Sequence, residues 1–457
     1  MSRTGRLNLR PDFDSAEALL ADLGWLCSLP STTGQPDHLH AAARAISDWL
    51  WRLGFSVKRV PTPTAPILIA VREGRSPQRV LLYHHYDVNP PGPWRAWSHS
   101  PLELAEREGA IYGRGVAHGK GALAAQLHAL QALIRSEQEL PVGVVLVLEG
   151  SAMQGSPALA ETLAAHAELV QADLCLSTAG ERDGRGLPFC YMGSKGLLQI
   201  ALQVQGAALP LEPGLAASVV NPVWRLIWAL SNIKGDDEDI RVEGFYDAIA
   251  GPRHTDRDML RAATVNEAAR RAAWQIDDFL FHMRGGALIR SQTTLPTCNV
   301  SAFVVDSGSM GASIPTGASA QLDLQLVPDQ TPELVFAQIQ KHLHEKDLGD
   351  VRLTELPGAY APITSDPAHP LIQHMLAAGE QLYHAPLSVL PFGPFAQPLA
   401  LFGRLLNAPV IAIALAREDS AIYAANEHIP IADLLNHSRL LADFLLLCER
   451  ATASVAA

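Results

Sequence analysis

The stretch Val80-Leu81-Leu82-Tyr83-His84-His85-Tyr86-Asp87-Val88 decides how the rest of the chain is read. Its first four residues form an apolar run of buried-strand length, and His85 and Asp87 stand where that strand would end. A His-x-Asp pair suits a metal site, because the histidine binds while the carboxylate two residues on orients its ring. Alone, the pair fits better a histidine satisfied at a loop edge. Downstream, Trp94 and Trp97 lie in a Pro-rich loop. Ile111-Tyr112-Gly113-Arg114-Gly115 then leads into a helix whose Leu123, Leu127, Leu130 and Ile134 form a core-facing stripe.

Around this stretch, 457 residues supply two or three domains with ample core. A hydrophobic content of 48% with 18% charged residues is that of a folded globular chain. The net charge of −12, from 35 basic and 47 acidic residues, excludes a nucleic-acid partner, which would want a basic face. Five widely spaced cysteines without a CxxC point to a reduced, cytoplasmic protein. Arg3 and Arg6 are followed by no apolar signal core, and no run approaches the length of a membrane span.

Helices are expected from Ser15, as N-cap, to Leu29 and from about His38 to Leu53. Strands are expected at Phe55–Val60, Pro66–Val71, Val80–Tyr83, Val142–Leu148 and Leu174–Ser177. Strands alternating with helices predict an α/β fold, a mixed sheet flanked by helices, with functional groups at the carboxyl ends of strands. His85, Glu149 and Ser177 all fall at such ends. From 194 to 360 the pattern changes to β-α-β-β-α-β, an inserted α+β ferredoxin-like unit. An irregular, charged insertion at about 235–290 interrupts it. The chain then returns, so the first domain comprises 1–193 and 361–457, with a helix at His369–Tyr383, a strand at Val410–Ala414 and a closing helix at Ile431–Glu449.

Six ordered groups of residues carry a family resemblance. They are His85-Tyr86-Asp87 with Gly113-Arg114-Gly115 and Lys120-Gly121, Glu149-Gly150 with Gly155-Ser156, Asn221-Pro222, Gly244-Phe245-Tyr246-Asp247, Val327-Pro328-Asp329-Gln330, and Asn426-Glu427. Together they resemble the dinuclear-zinc exopeptidase and aminoacylase family, which includes carnosine dipeptidases and bacterial glutamate carboxypeptidase. The resemblance implies a catalytic domain with an inserted lid, a homodimer through that lid, and two zinc ions sharing a bridging carboxylate. It assigns His85 as a metal ligand and Asp87 as its orienting carboxylate. The position implied for the bridging aspartate holds His118, followed by Gly119 where a polar residue is usual. The positions implied for the general base and the next ligand hold Ala152 and Met153. Thr178 stands at a further carboxylate ligand position, and Tyr423 at that of the final histidine. On the substrate side, Leu211 replaces the lid histidine signature, Gln325 replaces an arginine, and Phe392 to Phe395 replace a Gly-Gly-Ser turn.

Only His85 keeps its type among the implied ligands, which leads to the expectation of no cofactor and no catalysis, with zinc the cofactor of the family. The chain would then act as a binding or partner protein, for a small neutral ligand or another protein. The competing reading is a hydrolase of peptide or N-acyl amino acid bonds with an altered or single-metal site. A single soft metal on His85, His118 and Met153 would suit copper(I) better than zinc. Among retained residues, Trp94, Trp97 and Tyr112 are read as loop packing, Arg114 and Lys120 as holding loop carbonyls, and Glu149 as bonded to nearby backbone. Asn426 and Glu427 are read as holding their own turn.

Overall fold

The structure, a computed structural model, describes residues 16–306 and 312–455. Ser15, Arg3 and Arg6 lie outside the described residues. An eight-stranded mixed sheet forms the first unit. Its strands run in the order Ser56–Val60, Ile67–Arg72, Leu140–Glu149, Gly74–His85, Leu174–Thr178, Val410–Ile413, Phe189–Tyr191 and Ser388–Leu390. The four from Leu140–Glu149 to Val410–Ile413 are mutually parallel. Parallel strands with both faces covered need continuous apolar runs, and Leu140–Glu149 is buried along its whole length.

Alternation divides the core between the two faces. Leu82, Leu146 and Leu176 join the helices Ala16–Ser28, Lys120–Glu137, Pro370–Tyr383 and Ile431–Val455 on one side. Leu81, Tyr83, Val145 and Val147 join Leu159–Ala165 and Leu399–Leu406 on the other. The stripe expected after Lys120 is too narrow a description, since Ala122, Ala124 and Ala125 are buried alongside Leu123, Leu127 and Leu130. Strands Phe189–Tyr191 and Ser388–Leu390 escape sequence reading because each is a three-residue run.

The inserted unit is a four-stranded antiparallel sheet in the order Thr297–Asp306, Gly317–Leu326, Gly196–Gln205, Arg352–Glu355, which is the ferredoxin-like arrangement. Helices Pro222–Ile233 and Pro332–Glu345 close one face over Leu198, Ile200, Leu322 and Leu324. Asn221 caps the first of these by accepting the Val223 N–H at 2.9 Å. The outgoing and returning chains touch at the junction of the units. A Cβ on Gly193 would lie 1.9 Å from the Ile363 carbonyl oxygen, and one on Gly196 would lie 2.6 Å from that of Tyr360. Only glycine permits that approach.

One expectation is corrected here. The insertion is not irregular: it folds into helices His254–Ala262, Glu267–Trp274 and Gly285–Thr294. Leu260 and Ile289 anchor it in the core of the first unit, and Arg270 is buried against Glu181, at 2.9 Å. The helix Pro222–Ile233 divides its apolar residues between two faces. Val223, Leu230 and Ile233 pack into the inserted unit's own core, while Trp224 and Trp228 point outward. Among the described residues no helix is long and apolar enough to cross a membrane, and all five cysteines are buried free thiols.

Candidate functional site

Parallel strands end together, so their last residues converge on one edge. At the end of Gly74–His85, the His85 Nδ1 lies 2.9 Å from the Asp87 backbone oxygen and 3.3 Å from its Oδ1. Burial alone would lower the His85 pKa, but the hydrogen bond and charge of Asp87 outweigh it, so the net direction is upward. Asp87 is fully buried and also accepts the N–H groups of Ala152, at 3.3 Å, and Met153, at 3.0 Å. It therefore orients His85 and pins the short 3₁₀ turn Ala152–Gln154. Gly119 gives the His85 ring its room: a Cβ there, at φ +93°, would lie 2.8 Å from His85 Cε1.

His118 is placed by Glu427, which accepts from four donors. These are the N–H groups of Gly115 at 3.0 Å, Ala117 at 2.9 Å and His118 at 3.0 Å, and Arg114 Nη1 at 2.9 Å. Arg114 Nη2 then donates to the Ala424 carbonyl at 2.9 Å. The outcome is a row of rings across the cleft. His85 and His118 stand 4.9 Å apart by centroid, and His118 and Tyr423 stand 5.3 Å apart, edge to face. Burial, with the charges of His85 and Arg114, holds the His118 pKa well below the ordinary imidazole value. Between His118, Tyr423, Arg114, Glu427, Val88 and Asn89 a cavity of about 10 Å³ remains.

Glu149, facing His85 in register at the neighbouring strand end, is buried. Its Oε1 accepts from the Tyr83 hydroxyl and, at 2.7 Å, from Ser156 Oγ. Its partners are thus side chains, where neighbouring backbone was expected. Burial pushes its pKa up to about 7, against the lowering effect of those two hydrogen bonds. Thr178 turns to the helix-covered face, where its Oγ1 accepts from Gln126 Nε2 at 3.3 Å and pairs with His437 Nε2 at 3.0 Å. His84 joins this buried group, and among the described residues its Nε2 and the His437 Nδ1 have no hydrogen-bond partner.

His85, Asp87, His118, Ala152, Met153 and Tyr423 are therefore brought to one edge of the sheet. Leu211 is placed elsewhere: it pairs with Ile314 inside the inserted unit, N–H to carbonyl at 3.2 and 2.8 Å. Gln325 sits on the uncovered face of that unit's sheet. Phe392 is buried and Phe395 packs edge to face on Tyr191 at 5.1 Å, while the Phe395 carbonyl accepts the Lys195 N–H. That turn braces the junction between the units.

Trp97 is buried and Tyr112 stacks on His428 at 4.7 Å, as expected of loop packing, but Trp94 is largely exposed. Arg114 and Lys120 hold carbonyls as expected, Lys120 Nζ reaching Leu29 at 2.7 Å. Asn426 and Glu427 do more than hold their own turn, since Asn426 Oδ1 accepts Ser98 N–H at 2.9 Å and Glu427 fastens the 113–118 loop. Sequence reading missed Gln126 and His437. The signal for His437 was present, in the polar run Asn436-His437-Ser438-Arg439 between Leu434-Leu435 and Leu440-Leu441.

A mixed α/β sheet with convergent strand ends and an inserted ferredoxin-like unit defines a hydrolase-type fold of the metallopeptidase class. Peptidase family M20/M25/M40 matches residues 81–447, and the chain belongs to that family. It is 27% identical over 404 residues to a cysteinylglycine-S-conjugate dipeptidase of Corynebacterium striatum, covering 83% of both chains. It is 24% identical over 408 residues to a Cys-Gly metallodipeptidase of Saccharomyces cerevisiae, covering 86% of this chain and 85% of that one. The solved M20 metallo-carboxypeptidase of Sulfolobus solfataricus superposes with a TM-score of 0.88 at 25% identity, over 94% of this chain and 99% of that one.

Family membership corrects the expectation of no cofactor. Relatives are named as metallopeptidases, and one solved M20 member, from Bacillus subtilis, is described as a dinuclear metal-binding peptidase. A metal, zinc by the resemblance, is what the family implies, and replaced ligands do not argue it away. The donor set of this chain nevertheless differs from a carboxylate-bridged pair. Among the described residues no group of three or more His, Cys, Asp or Glu is placed to hold a metal ion. Asp87, Glu149 and Glu427 are committed to internal donors, so His85 and His118 are the imidazoles the cleft presents.

Proposed function

We propose that this member of the M20 family keeps its cleft as a binding site for a peptide-like ligand and does not perform peptide-bond hydrolysis. The observation that carries the proposal is Ala152, whose backbone N–H caps Asp87 where the resemblance places the general base. A group that takes the proton of an attacking water is worth about 10²–10⁴-fold in rate, and a methyl cannot do so. The carboxylates around it are bonded to Met153 N–H, Ser156 Oγ and the 115–118 backbone. A cytoplasmic setting and a homodimer through the lid complete the proposal, supported by the five free thiols and by the outward Trp224–Trp228 pair, stacked at 6.3 Å.

The test is turnover of cysteinylglycine and β-alanylhistidine by protein loaded in turn with zinc, manganese and cobalt, with calorimetry following binding. Binding heat is expected, with turnover at least about 10²-fold below an active relative assayed alongside. Turnover equal to that relative's, abolished by a chelator, overturns the proposal. A second reading, hydrolysis at an altered single-metal site, has the close pairing of His85 and His118 in its favour. It requires turnover that saturates at one metal equivalent per chain.

A further inference from the structure

The inserted sheet packs against the turn Ala152–Gly155, whose first residues border the cleft. Leu198, Ile200, Leu322 and Leu324 point into the helix-covered core, so Gln199, Asp323 and Gln325 occupy the other face. That face overlooks the turn: a Cβ on Gly155 would lie 2.9 Å from Gln199 Oε1 and 3.7 Å from Leu197 Cδ2. Gln199 and Asp323 are partners in register, and Gln199 Nε2 donates to Asp323 Oδ1 at 2.5 Å. Asp323 is half-buried, and among the described residues no ion pair includes it.

Three long cationic side chains of the first unit and its junction are already committed. Arg114 is buried against Glu427, Lys120 Nζ donates to the Leu29 carbonyl, and Lys195 Nζ donates to the Leu295 carbonyl at 2.7 Å. A ligand carboxylate entering here would meet Asp323 without a free guanidinium or ammonium to receive it. A ligand ammonium would find a half-desolvated carboxylate, for which a charge-assisted hydrogen bond is the natural complement.

We infer, on the reading of the cleft as a peptide-binding site, that Asp323 selects ligands by charge: it receives an ammonium group, and the preferred ligand is an amine-bearing peptide-like molecule whose carboxyl end is blocked or absent. Gln199 orients the carboxylate, and Gln325 on the same face offers an amide without charge.

Four matched probes test the inference by calorimetry: leucylglycinamide as cation, N-acetyl-leucylglycinamide as neutral form, leucylglycine as zwitterion and N-acetyl-leucylglycine as anion. The cation is expected to bind at least about 10-fold tighter than the anion, with the neutral form between. D323N should bring cation and anion to within about 2-fold of one another, while D323E retains the preference, both variants melting near wild type. An anion that binds as tightly as the cation, or a ratio unchanged in D323N, overturns the inference and leaves the binding site standing. If none of the four binds, both the binding site and its charge preference fall.

Discussion

Glu427 Oε1 accepts the backbone N–H of His118 at 3.0 Å across 309 residues of sequence. The same carboxylate holds Gly115, Ala117 and Arg114, so one side chain from the end of the chain shapes the loop that carries the cleft's second imidazole. Removing it would leave Arg114 as a buried charge without a counter-charge and three buried N–H groups unmet. E427A should therefore lower stability by about 3–5 kcal/mol, measured as the shift in guanidinium midpoint. E427Q should fall between, since the amide oxygen still accepts. A midpoint unchanged in E427A would show that the loop stands without this carboxylate.

Asp87 does for His85 what Glu427 does for His118, through a side chain only two residues away. With the charge removed in D87N, burial should dominate and pull the His85 pKa down, read from its ring proton by NMR titration. The turn at Ala152–Gln154 should stay in place, because an amide oxygen still accepts the Met153 N–H. An unshifted His85 titration would mean that the ring is positioned by its packing under Gly119.

Acid should weaken the fold through the histidines behind the cleft. Burial, then the charges of His85 and His437, pulls the His84 pKa to about 3; burial, then Arg182, pulls that of His437 to about 3. Unfolded, both titrate near 6.5. The unfolded chain therefore binds more protons between about pH 3 and 6.5, and stability rises with pH across that window. Glu149 opposes this between its ordinary 4.5 and its folded value of about 7, because the folded carboxyl keeps a proton the unfolded one has released. Melting temperature should thus rise from pH 3.5 to 6, less steeply in H437Q and more steeply in E149Q. Parallel curves for all three proteins would exclude these groups as the cause.

Most of the sheet was legible in the sequence because buried strands such as Leu140–Glu149 are long apolar runs, and because the ferredoxin-like unit alternates its apolar residues cleanly in Gly196–Gln205. The insertion was not legible, since its helices are only 8 to 10 residues long and each buries few apolar side chains, such as Leu260 and Ile289, beside the charged contact of Arg270 with Glu181. At the site, local spacing revealed His85 and Asp87. The reach of Glu427 to His118 depends on a contact that no spacing encodes, and Thr178 was expected to face the cleft but bonds Gln126 and His437. Asp323 lay in a strand whose face becomes meaningful only when that sheet is set over Gly155.

The exposed tryptophans predict assembly. Trp224 and Trp228, one turn apart and stacked, present an apolar surface that a second copy would cover. Light scattering at micromolar concentration should give a dimer for wild type and a monomer for the double variant W224E/W228E with an unchanged far-ultraviolet circular dichroism spectrum. A monomeric wild type would refute assembly through this surface.

Binding without hydrolysis is tested most directly by watching a ligand on the protein. Zinc-loaded protein at a stoichiometric concentration should be mixed with isotopically labelled cysteinylglycine under reducing conditions and followed by NMR over a day. The dipeptide resonances should broaden or shift on binding and then persist, with free glycine accumulating no faster than in buffer with zinc alone. Glycine released at a rate proportional to protein concentration, and stopped by a chelator, would contradict the account.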